Sequence, residues 1–142
     1  MNKTTLEQSE LGKKSIYDSQ YDPKKLFPIA RQLKREEIGI SGDLPFFGFD
    51  LWNHYEVSWL NDQGKPIVAL AEMIYSCDSK NIIESKSMKL YFNSFNNMQF
   101  SSVDEITAIV KKDLAACLHG SFLHVRITPL YLFHETILYR GL

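Results

Sequence analysis

The sequence predicts an α+β fold in which an antiparallel sheet carries two helices packed on one face. Three observations predict it. Two strand-length runs, Asp50 to Leu60 and Ile67 to Tyr75, flank the turn-forming stretch Asn61-Asp62-Gln63-Gly64-Lys65-Pro66, as in a hairpin. Two segments with helical spacing follow, and Phe122 to Thr128 then returns to alternation. Strand, strand, helix, helix, strand is the order of an α+β layer.

Residues 1 to about 30 read as an extended arm, because the residue before each proline in Tyr21-Asp22-Pro23 and Phe27-Pro28 avoids the helical region. Arg31 to Arg35 reads as a basic patch on solvated surface. Ser41-Gly42-Asp43 and Pro45 punctuate the chain before the first long strand. In that strand Leu51, Tyr55, Val57 and Trp59 share one parity, with Asn53 the polar exception, and His54, Glu56 and Ser58 face the other way. Asn81-Ile82-Ile83 ends a further short strand. Met88, Tyr91, Phe92 and Phe95 then fall on one helical face, capped by Ser85 or Ser87 and ended by Asn96-Asn97. The second helix opens on the capping box Ser102-Val103-Asp104-Glu105. Val103, Ile106, Val110, Leu114 and Cys117 run down its buried face, and His119-Gly120 closes it.

At 142 residues with 44% hydrophobic content, the chain suffices for a single core and is too short for two ordinary domains. We therefore read 1–142 as one module, with 130–142 as a tail. Sixteen basic against seventeen acidic residues disfavour direct nucleic-acid binding. The polar N-terminus and the absence of a long apolar run point away from a leader or a membrane span, hence to the cytoplasm. Two cysteines, Cys77 and Cys117, outside any C-x-x-C pattern, fit a reducing compartment. Histidines at 54, 119, 124 and 134 lie apart from any ligand pattern, so no metal site is indicated.

The chemistry concentrates in Glu84-Ser85-Lys86-Ser87-Met88-Lys89, where a strand hands over to a helix. A carboxylate, two hydroxyls and two ammonium groups meet there beside helix N–H groups. Such a corner suits an anionic ligand, or a ligand edge rich in N–H donors that a carboxylate accepts in pairs. On composition alone the same residues read first as a capped amphipathic helix with solvated lysines.

The run Glu84-Ser85-Lys86-Ser87-Met88-Lys89-Leu90-Tyr91-Phe92 resembles the signature of the NADPH-dependent 7-cyano-7-deazaguanine reductases, the nitrile reductases of queuosine biosynthesis. Further blocks resemble the N-terminal half of the two-module type, in order: Leu11-Gly12-Lys13, Tyr21-Asp22-Pro23, Leu26-Phe27-Pro28-Ile29, Leu44-Pro45-Phe46, Asp50-Leu51-Trp52, Tyr55-Glu56, Ser58-Trp59-Leu60-Asn61 and Asn93-Ser94-Phe95-Asn96. The likeness continues to about Ile127 and lapses beyond Pro129.

The resemblance implies a tunnelling fold, whose modules close into barrels with sites between them. It implies substrate contacts from Ile83, Glu84 and Ser85 and NADPH contacts from Ser85 and Lys86. No G-x-G-x-x-G is present, so NADPH is expected outside a Rossmann crevice. The reaction implied reduces a nitrile to a primary amine through thiolate addition and proton donation. Both groups belong to the family's C-terminal half, so no catalytic residue is assigned in this chain. Cys77 lies outside the family's cysteine context and reads as a loop or edge residue, and Cys117 reads as core. His134-Glu135 and Arg140-Gly141 match pairs from that other half in letters only. The expected partners are a deazapurine substrate and either a C-terminal reductase module or another copy of the chain. A non-catalytic module holding a purine-like ligand and a gene remnant stand as alternatives.

Overall fold

A computed structural model describes residues 20–133. Its main layer is a three-stranded antiparallel sheet with the order β2-β3-β5, formed by β2 (Phe49–Leu60), β3 (Pro66–Ser76) and β5 (Leu123–Pro129). A separate antiparallel ribbon pairs β1 (Pro28–Ala30) with β4 (Asn81–Ile83). Three helices complete it: α1 (Arg31–Glu37), α2 (Ser85–Asn93) and α3 (Val103–Leu118). The arrangement is α+β, consistent with a tunnelling-fold module.

The β2–β3 hairpin closes as expected. The Asn61 side-chain carbonyl accepts the N–H groups of Gln63 and Lys65, and Gly64 takes φ +73°, a conformation glycine adopts without a steric penalty. Single parity along β2 does not hold. His54 pairs with Ala71 and Val57 with Ala69, so three steps on β2 oppose two on β3. This β-bulge at Tyr55 and Glu56 reverses the faces. Trp52 and His54 point inward before it, Val57 and Trp59 after it, while Leu51 and Tyr55 are exposed.

Ala69, Ala71, Met73 and Tyr75 of β3 and Val125 and Ile127 of β5 face the core. They meet Met88 and Phe92 from α2 and Ile106, Val110, Leu114 and Leu118 from α3. Such aliphatic and aromatic side chains, fully buried, each contribute about 1.5–3 kcal/mol. Ser102 caps α3 by accepting the Glu105 N–H at 3.2 Å, but the return half of the box goes elsewhere, since Glu105 accepts from the Ser101 N–H and hydroxyl. At the other end His119, not Gly120, takes the left-handed conformation (φ 51°). Gly120 is required for close approach: a Cβ there would lie 2.9 Å from Ser76 Oγ and from Ser79 Cβ.

The basic patch at Arg31 to Arg35 is a correction to the expected solvated surface. It forms most of α1, and two of its arginines are pins. Arg31 pairs with Asp50, donates from Nε to Ser79 Oγ at 3.0 Å and lies 5.7 Å over the Tyr75 ring; Arg35 donates to the Cys77 carbonyl. Charged side chains are drawn in here because Asp50 and the Cys77 carbonyl take their donors.

Candidate functional site

The signature corner is built by β4 running directly into α2. Ile83 is buried and pairs across the ribbon with Pro28. Glu84, only 4% exposed, is the N-cap of α2: one carboxylate oxygen accepts the Lys86 N–H and the other the Ser87 N–H, both at 2.8 Å. The structure thus corrects the expected cap, Ser85 or Ser87. A glutamate side chain reaches both first-turn donors at once, and its charge meets the positive end of the helix. The same contacts change the reading of the corner, because two of the helix N–H groups expected to face a ligand are taken by Glu84.

Ser85 is exposed at the first position of α2, with its hydroxyl 3.4 Å from Glu84 Oε1, and Lys86 is half-buried beside it. Lys89 is exposed and ion-paired with Glu56 of the β2 bulge at 3.5 Å. Ser87 is fully buried; its hydroxyl donates to the Glu84 carbonyl at 2.7 Å and accepts the Phe27 N–H at 3.0 Å. Helix α2 ends at Asn93 with Ser94 as its C-cap, three residues before the expected Asn96-Asn97 stop. Phe95 is still buried, in edge contact with Tyr91 at 5.1 Å.

Further along, Asp113 of α3 is buried at 9% exposure, and its Oδ2 accepts hydroxyls from Tyr21 at 2.6 Å and Tyr91 at 2.7 Å. Burial first, then the hydrogen bond to Asp113 and its charge, raise both tyrosine pKa values. This centre was missed in the sequence, although a signal existed. Asp113 falls three residues after Val110 on the apolar stripe of α3, where a carboxylate must find donors.

His54 stacks on Phe92 at 4.6 Å, and its Nε2 is buried without a hydrogen-bond partner; burial lowers its pKa. The Tyr75 hydroxyl is likewise buried and unpartnered, and burial pushes its pKa up to about 12. Cys77 lies in the turn after β3, with its N–H donating to the Gly48 carbonyl. Cys117 is half-buried, and burial, aided by the Asp113 charge, raises its thiol pKa, away from the thiolate a nucleophile needs. His134-Glu135 and Arg140-Gly141 lie outside the described residues. No helix among the described residues is long and apolar enough to cross a membrane.

The capped strand-to-helix corner thus sits in an α+β module built from a three-stranded sheet, a two-stranded ribbon and helices. Comparison with known proteins makes the family specific. The family described as "Nitrile reductase, 7-cyano-7-deazaguanine-reductase N-term" matches residues 17–127, and the chain belongs to that family. It is similar to the NADPH-dependent 7-cyano-7-deazaguanine reductase of Legionella pneumophila (strain Lens), at 54% identity over 124 residues, covering 87% of this chain and 43% of that protein. The reductase of the same name from Ralstonia nicotianae is 53% identical over 126 residues, covering 87% and 45%; that from Paraburkholderia xenovorans is 50% identical over 129, covering 91% and 47%. The chain thus spans less than half the length of these relatives.

Proposed function

We propose that this chain is the N-terminal module of an NADPH-dependent oxidoreductase that reduces the nitrile of 7-cyano-7-deazaguanine to the aminomethyl group, in the cytoplasmic synthesis of queuosine. The observation that carries the reading is the corner Ile83-Glu84-Ser85-Lys86, placed at a strand end with Ser85 exposed at its rim, in a chain of this family. Ile83, Glu84 and Ser85 are the proposed substrate contacts. Glu84 Oε2 accepts only the Ser87 N–H and keeps a further lone pair, while Oε1 accepts the Lys86 N–H and the Ser85 hydroxyl at 3.4 Å, so paired N–H donors on a deazapurine edge take the Oε2 lone pair and the place of that hydroxyl while leaving both cap bonds in place.

The residues present fit the cofactor in chemistry. Ser85 offers a hydroxyl and Lys86 an ammonium at adjacent positions, a donor pair suited to an anionic, hydroxyl-rich ligand. Because Glu84 occupies the amides of the first turn, attraction to cofactor phosphates rests on Lys86 rather than on that turn. NADPH, when bound, supplies hydride. The module's own part is to hold and orient, and the thiolate and proton donor are assigned to a C-terminal module; a second copy of this chain is the alternative partner. The length covered in the relatives supports that division.

The test is NADPH oxidation with 7-cyano-7-deazaguanine by the purified chain, alone and mixed with the C-terminal part of the Legionella pneumophila relative. Turnover in the mixture only is the expected result. Turnover by the chain alone would overturn the division of labour and make Cys77 the first thiol to replace.

A further inference from the structure

The five buried polar residues of the described chain are Ser79, Glu84, Ser87, Ser94 and Asp113, and each bonds to the segment Tyr21–Arg31. Ser79 Oγ accepts from Arg31 Nε at 3.0 Å and Asp113 from the Tyr21 hydroxyl at 2.6 Å. Ser87 Oγ accepts the Phe27 N–H at 3.0 Å, Ser94 Oγ accepts the Asp22 N–H at 3.4 Å, and the Glu84 N–H donates to the Phe27 carbonyl at 3.0 Å. Ser87, Tyr91 and Ser94 are spaced i, i+4, i+7, so α2 buries two faces. Met88 and Phe92 meet the sheet side, whereas the Ser87–Ser94 face reads the backbone of an overlying strap.

At the corner the two systems meet in one residue. Ser87 gives its N–H to the Glu84 carboxylate and its hydroxyl to the Glu84 carbonyl, while the same hydroxyl takes the Phe27 N–H. Phe27 returns its carbonyl to the Glu84 N–H. Strap, Ser87 and Glu84 therefore form a closed ring of hydrogen bonds in a site without exposure at Ser87. Directional bonds of this kind fix position more tightly than apolar contact, because each group left without its partner in a dry site is penalised.

We propose that Ser87 is a positioning residue: through the strap at Phe27 it sets where Glu84 and the adjoining Ser85 stand. The ligand-facing part of this inference rests on the proposed function above; the structural part does not. Loss of the hydroxyl in Ser87→Ala removes the Phe27 N–H anchor and opens the ring at the corner without touching any proposed ligand contact, while the other strap bonds remain.

The experiment compares the wild-type chain with Ser87→Ala, Ser87→Thr and the α3 core variant Val110→Ala, which serves as a control for general destabilisation. Amide hydrogen exchange is read at Glu84, whose own bond to Phe27 the substitution leaves chemically intact. Ser87→Ala is expected to speed exchange at Glu84 about tenfold, with Ala69 and Ala71 in β3 unchanged; Ser87→Thr, which keeps a hydroxyl, is expected to restore it. An unchanged Glu84 amide, or a uniform rise that Val110→Ala reproduces, would overturn the proposal.

Titration of the same four proteins with NADPH and with 7-cyano-7-deazaguanine follows. An affinity loss of about tenfold in Ser87→Ala, absent in Val110→Ala and recovered in Ser87→Thr, is expected. A loosened corner with unchanged affinity would reduce Ser87 to a structural role and overturn the positioning claim. Absence of binding by the wild-type chain would instead count against the proposed function of the corner, with the exchange result still deciding whether Ser87 holds Glu84.

Discussion

The two sides of α2 are held by different forces. Toward the sheet, Phe92 stacks on His54 of β2 and joins Met88 in the core cluster that the apolar faces of β2, β3, β5 and α3 share, and the stabilisation follows area removed from water. Toward the strap, contact runs through serine hydroxyls, one carboxylate shared by two tyrosines, and the backbone of Asp22 and Phe27. The apolar side gives the module its stability and tolerates adjustment. The polar side adds less net free energy but specifies register, because a shifted strap would leave buried donors and acceptors unpaired. The proposed ligand corner is built on the second side.

Substitutions on the two sides therefore differ in kind. Phe92→Ala empties a fully buried site that touches Tyr91, Phe95 and His54, and a loss of about 3–5 kcal/mol is expected in urea unfolding. A loss below about 1 kcal/mol would show that the sheet side is not the main source of stability. Asp113→Ala removes the acceptor shared by Tyr21 and Tyr91 and is expected to cost about 3 kcal/mol. A double-mutant cycle with Tyr21→Phe sharpens the comparison: a coupling near zero would mean that the strap is held by the Tyr21 ring on Phe95 rather than by its hydroxyl. Glu84→Ala removes the cap of α2 and is expected to cost about 1 kcal/mol in the same assay. A cost near zero would leave Glu84 free of its structural duty.

The apolar side was the legible one. Helical spacing at Met88, Tyr91 and Phe92 and at Ile106, Val110 and Leu114 marks the buried faces directly, an apolar run after a turn finds β3, and alternation finds β5. The bulge in β2 was not legible, since an inserted residue leaves the run apolar and merely swaps its faces at Tyr55 and Glu56. The polar side was read only in part. The sequence marks Glu84 as special, but it offers Ser87 only as a candidate cap and Ser94 only as part of a matching block, and neither reads as buried until a strap covers it. That strap pairs across 60 or more positions of sequence, at Phe27 with Ser87 and Asp22 with Ser94, and no local periodicity carries such pairing. The ligand contacts proposed for Ile83, Ser85 and Lys86 came from resemblance rather than from pattern.

The smallest expected effect separates the two sides by pH. On the sheet side, burial against Phe92 and the positive charge of Lys89 lower the His54 pKa, and Glu56 opposes them in part. The unfolded chain takes up this proton near the ordinary value of about 6.5, whereas the folded chain resists it, so stability is full above about pH 6.5 and declines below it. On the strap side, Tyr21 and Tyr91 ionise less readily than free tyrosine because they are buried on the Asp113 carboxylate. Their contribution is full below about pH 10 and is lost as the unfolded chain begins to ionise above it, and Tyr75 of β3, also raised by burial, adds a share to the same slope from the sheet side that Tyr91→Phe leaves in place. Unfolding midpoints measured from mildly acid to alkaline pH should show both slopes. His54→Phe should flatten only the acid one and Tyr91→Phe should reduce only the alkaline one. If either substitution altered both slopes alike, the two faces of α2 would be a single cooperative unit, and the separation between an apolar foundation and a polar clamp would fail.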